Sequence, residues 1–125
     1  MKLQIFVLTG IVLLILDSVY FTFAKTYFNG QIKRIQGLPI KLNIISAILC
    51  YLFLAFGIQY FIINENKSYT DAFFLGLTIY AVYELTNKAL FMNWHWFTVL
   101  IDSLWGGVLF ASTTYVVRNI QKYLV

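Results

Sequence analysis

From Lys41 to Glu65 the chain carries no charged side chain. A run of that length matches the roughly 20 apolar residues a helix needs to cross a hydrocarbon core. The other charges divide the rest of the sequence in the same way. Between Lys2 and Lys25 only Asp17 interrupts. Between Asp71 and about Met92 the interruptions are Glu84 and Lys88, and between His95 and Arg118 there is only Asp102. Four expected spans follow, over residues 3–24, 42–63, 71–92 and 96–117. Only helices and closed barrels satisfy the backbone in lipid, and these runs lack the alternation of barrel strands. The expected fold is therefore all-α, a four-transmembrane-helix bundle forming one integral, multi-pass membrane domain over residues 1–125.

Composition leads to the same place. The chain is 61% hydrophobic and 11% charged, against about 25% charged residues in a soluble domain. That excludes a water-soluble monomer and a disordered chain. A lone cysteine, Cys50, excludes a disulfide scaffold and reads as a packing residue. Lys2 and the apolar run after it have the look of a secretory leader. The run continues past Asp17 to Ala24 and three more spans follow, so a first transmembrane helix is the expected reading. The net charge of +4 calls for no nucleic-acid partner, because membrane proteins place such charges at their edges.

The long connection runs from Lys25 to Lys41. Gly30 and Gly37 bracket its middle, and Pro39 follows. Ile32 and Ile35 lie one helical turn apart, with Lys33 and Arg34 on the other side. The spacing predicts a short interfacial segment in this first loop, held to anionic headgroups. A solvated connector with basic flanks is the alternative. Trp94, His95 and Trp96, at the edge of the fourth span, are the expected aromatic belt. With four spans, both termini and the 64–70 loop share one side. Basic residues divide four against five between the sides, and the basic first loop points to the cytoplasm with the termini outside.

Three of the five acids, Asp17, Glu84 and Asp102, fall inside expected spans. An acid at a helix centre costs about 2.5–3.5 kcal/mol on insertion, and such residues usually face a bundle interior. Each lies about 8–10 Å from an expected span end. The ends of spans one and three and the start of span four meet on one side, so the three acids should share one layer. The third span depends on that layer most. It has 9 Leu, Ile, Val and Phe residues between Ala72 and Met92, worth roughly −3 to −5 kcal/mol, and it carries Glu84, Asn87 and Lys88.

Helical spacing identifies the expected neighbours. Tyr80, Glu84 and Asn87 share a face that Gly76 extends, and Asp17 with Tyr20 and Asp102 with Trp105 are each one turn apart. Ser103, Gly107 and Ala111 form a small-residue stripe for close helix packing. Carboxylates crowded in low dielectric cannot all ionise, so some must be protonated, paired or bound to a cation. Lys88, one turn beyond Glu84, is the nearby basic candidate for an i, i+4 pair. With a single histidine, His95, clustered metal and haem ligation are not expected. No cofactor is predicted, and Ser18 and Ser103 lack a histidine partner for nucleophilic catalysis.

Leu16-Asp17 with Tyr20, Tyr83-Glu84-Leu85-Thr86-Asn87, Trp94, and Asp102 with Trp105-Gly106 resemble the pattern of a small four-pass membrane family, the domain-of-unknown-function 2177 family. The resemblance covers nearly the whole chain in order. The Leu85-Thr86-Asn87 and Asp102-x-x-Trp105-Gly106 segments are its most specific parts. The family pattern has Trp where Tyr20 stands and Asp where Glu84 stands. Glu84 keeps the acid but adds a methylene, and Tyr20 keeps an aromatic donor. The resemblance implies an integral membrane protein and no particular reaction.

The residues themselves support three readings. The first is proton- or cation-coupled transport or permeation through the carboxylate centre. The second is a membrane-embedded, lipid-modifying enzyme using the same carboxylates as acid and base. The third is a helper subunit whose polar layer fixes helix packing. Membrane lipids, a proton or cation, and further copies of the chain are the expected partners.

Overall fold

A computed structural model describes residues 2–38 and 40–124. Four helices follow one another: α1 (Leu3–Gln36), α2 (Ile44–Ile58), α3 (Tyr69–Leu90) and α4 (Trp96–Leu124). A π-helical turn, Gln59–Ile63, extends α2. α1, α2 with its π turn, and α4 are each long and apolar enough to cross a membrane. α3 is 22 residues long but falls outside that set among the described residues. Asp71, Glu84 and Lys88 dilute its apolar character.

α1 corrects the expected first loop. Its 34 residues extend about 51 Å, well beyond a hydrocarbon core of about 30 Å. The segment expected to be a separate interfacial helix is the last part of α1, and Gly30 remains within it. Gly37 ends the helix at φ +78°, donating its N–H to the Lys33 carbonyl at 2.8 Å. That left-handed conformation costs glycine nothing. Pro39, expected in this connector, lies outside the described residues.

Side-chain caps start the next helices. Asn43 accepts from the Ser46 N–H at 3.0 Å to begin α2. Ser68 accepts from the Asp71 N–H at 3.0 Å to begin α3, and Asp71 places its charge at the positive end of the helix dipole.

α3 and α4 form an antiparallel pair in near backbone contact. A Cβ on Gly76 would stand 2.1 Å from the Gly106 carbonyl oxygen, one on Gly106 2.3 Å from the Tyr80 ring, and one on Gly107 2.6 Å from the Phe73 ring. The expected small-residue stripe is thus only part of the contact. Gly107 receives Phe73, whereas Gly106, outside the stripe, makes the closest approach. Ser103 is buried and Ala111 half-buried.

α1 packs along α4 on one side and α2 on the other. Leu13, Ala55, Ile58, Ala72, Leu109 and Phe110 fill the interior where the helices meet, each fully or almost fully buried. Apolar side chains also cover the outside, with Phe53 74% and Phe23 85% exposed. Such a surface is stable against acyl chains and not against water. Between α2 and α3 the bundle is open, with a cleft of about 390 Å³ lined by Cys50, Leu54, Ile79, Tyr80, Tyr83 and Asp102.

A candidate carboxylate centre

Asp17, Glu84 and Asp102 line one cavity. It measures about 210 Å³, and its wall includes Asp17, Tyr20, Tyr80, Glu84, Trp94 and Asp102. Each acid comes from a different helix: α1, α3 and α4. Glu84 is 1% exposed, Asp102 8%, and Asp17 half-buried. Glu84 and Asp102 line that cavity as neighbours, close enough for their charges to interact.

Neutral donors serve all three. The Trp94 indole N–H donates to Glu84 Oε1 at 2.8 Å. The Trp105 indole N–H donates to Asp17 Oδ1 at 2.9 Å, and the Tyr51 hydroxyl donates to Asp17 Oδ2. The Tyr20 hydroxyl reaches Asp102 Oδ1 at 3.4 Å. Tyr20 also stacks on Trp105, with centroids 4.5 Å apart and planes within 4°. An aromatic pair bridging α1 and α4 thereby fixes the donors to two different acids.

Lys88 does not take the expected i, i+4 place beside Glu84. Its ammonium donates to the Trp94 carbonyl at 2.7 Å and lies 5.3 Å from the Trp96 ring centroid. A half-buried cation at a helix end gains more from a carbonyl and a ring face than from entering the apolar layer. The carboxyl centre is thus left to neutral partners. Among the described residues, no group of three His, Cys, Asp or Glu side chains has the arrangement of a metal site.

The other expected site residues divide. Asn87 does not line the shared cavity. It lines a smaller pocket with Ile32, Tyr83 and Trp94. Trp94, expected in the aromatic belt, is 5% exposed and faces inward, because its N–H finds the buried Glu84. Trp96 stays outside, at 64% exposure. Arg34 donates to His95 Nε2 at 3.2 Å, tying the end of α1 to the start of α4. Lys33 faces a different groove, together with Lys25. Ser103 Oγ is buried without a hydrogen-bond partner among the described residues.

Two contributors escape a sequence reading. Tyr51 sits in the charge-free second span, where nothing marks it as the partner of an acid 34 positions earlier. Gln31, fully buried, accepts from the His95 N–H at 2.9 Å and from Thr98 Oγ1 at 3.0 Å. Its only signal is a neutral amide between Ile32 and the basic flank, a pattern equally common on exposed helices.

No curated protein and no solved structure matches this chain. The family described as "Predicted membrane protein (DUF2177)" matches residues 2–118. The chain is an integral, multi-pass membrane protein of that family.

Proposed function

We propose that the carboxyl centre takes up and releases a proton, and that the protein couples this exchange to transport or permeation across the membrane. One observation carries the reading: the three clustered acids hydrogen-bond only neutral donors among the described residues. Indoles and phenols orient a carboxylate but do not cancel its charge. An uncompensated charge in low dielectric is costly, so a mobile cation must balance the centre. A proton fits best. Neighbouring carboxyls such as Glu84 and Asp102 repel each other when both are ionised, and one proton relieves that repulsion. A crossing of the membrane by α3, which completes the four spans, is part of this reading. So is the packed interior on the far side of the centre, which allows exchange from one face at a time.

A lipid-modifying enzyme is the second reading. It is favoured by the cleft between α2 and α3, which offers Asp102 and Tyr80 a lateral, apolar approach. Proton flux into reconstituted liposomes separates the readings. Asp102→Asn should reduce flux to the level of empty liposomes while the melting temperature stays within a few degrees of the parent. Flux unchanged by Asp102→Asn would refute the transport reading. Turnover of a lipid that depends on Asp102, without flux, would replace it with the enzyme. A large fall in melting temperature as the sole effect would leave a scaffold.

A further inference from the structure

We propose that α1 carries a site for one anionic phospholipid beside the carboxyl centre, whose cavity shares Phe21 and Ile40 with it. Its headgroup would lie between Lys25 and Lys33, and an acyl chain would lie in the groove between α1 and α2. Two grooves make the site. The first, about 520 Å³, is lined by Phe21, Lys25, Asn29, Lys33 and Ile40 among others, with no acidic side chain in its wall. The second, about 350 Å³, is lined almost entirely by apolar side chains, including Ile11 and Leu14 of α1 and Leu42 and Ile44 beyond it. Ile11, Leu14, Phe21, Lys25, Asn29 and Lys33 follow helical spacing along one face. A basic groove and an apolar groove are thus in line, and the stretch from Ile40 to Ile44 supplies the opposite wall of both.

The charges select the occupant. Lys25 stands directly after Ala24, where the apolar run ends and headgroups begin. Lys25 and Lys33 are separated by about 12 Å along the helix. Their flexible four-carbon stems can close that gap on a single phosphodiester. Asn29 lies midway. Its Oδ1 accepts from the Ile40 N–H at 2.8 Å, which holds the connector over the groove and leaves the amide N–H groups to face a phosphate or ester oxygen. Arg34 is not part of the site, because it is engaged with His95. A zwitterionic lipid would bring a second cation against the lysines. A free phosphate would leave the apolar groove unfilled.

Native mass spectrometry of the delipidated full chain tests the site, with dioleoyl phosphatidylglycerol, dioleoyl phosphatidylcholine and glycerol 3-phosphate as probes. One phosphatidylglycerol should be retained in preference to phosphatidylcholine. Lys25→Gln with Lys33→Gln should weaken its retention about 30-fold. Lys67→Gln with Lys122→Gln, at the other end of the chain's helices, should leave it unchanged. Ala47→Phe, which narrows the apolar groove, should weaken it too. Both lysines are exposed, so their replacement leaves the fold intact even where Ala47→Phe does not. Equal retention of both lipids, equal loss in the Lys67/Lys122 control, or glycerol 3-phosphate binding as tightly as the lipid would each overturn the proposal. The site does not rest on proton exchange: Asp102→Asn should retain phosphatidylglycerol as the parent does, so either reading can fail alone.

Discussion

The Trp94 indole gives its single N–H to a carboxyl that is almost fully removed from solvent. Trp94→Phe keeps an aromatic ring but leaves that Glu84 oxygen without its donor. The expected cost is about 1–3 kcal/mol, the penalty of an unsatisfied buried acceptor. Thermal melting in detergent reads it directly. Trp105→Phe should lower the melting temperature less, because Asp17 is half-buried and keeps the Tyr51 hydroxyl. Equal effects would contradict the difference in burial between the two acids. At this scale the acids and several of their neighbours were legible in the sequence, since a charged residue in an apolar run is conspicuous. Trp94 was legible as an aromatic at a helix edge but not as inward-facing. Which way a ring turns at a helix end depends on partners from another helix, and spacing along one helix cannot report them. Tyr51 was invisible for the same reason.

Helix pairs rest on different contacts. α3 and α4 meet backbone to backbone at Gly76 and Gly106. Gly76→Ala would drive a methyl into the Gly106 carbonyl, and neither backbone can yield without moving its helix. Overpacking of this kind costs about 1–3 kcal/mol and often more. Because α3 is not among the helices apolar enough to cross a membrane, Gly76→Ala should also expose it, raising the labelling of a cysteine introduced at Leu77. Labelling at the parent rate would contradict the tight pairing. Gly37→Ala meets no neighbouring atom but imposes its cost through φ +78°, about 1–2 kcal/mol. That change should fray the end of α1 and leave the α3–α4 pair intact, measurable by hydrogen exchange. The apolar runs announced the helices, and Gly37 bounded the expected interfacial segment that proves to be the end of the first. Its continuation through Lys25–Gln36 was hidden because an interfacial segment and an extension of the preceding helix share one amphipathic pattern. Only the buried contacts of Gln31 with the start of α4 distinguish them.

Across the whole molecule, three acids from three helices line a cavity whose hydrogen-bonding partners are uncharged. Their common layer was expected from distances to span ends. That argument served Glu84 and Asp102, each close to its helix end, but not Asp17, because α1 runs on to Gln36. Asp17 reaches the centre through Tyr51 and Trp105 instead. The charge balance of the centre is the account's main claim, and infrared spectroscopy of the protein in lipid tests it without assuming a cargo. At neutral pH a protonated-carboxyl C=O band should appear and exchange slowly in deuterated buffer. It should shift or vanish in both Glu84→Gln and Asp102→Asn. A spectrum with only ionised carboxylates, or a protonated band untouched by both substitutions, would contradict a proton held between these two residues.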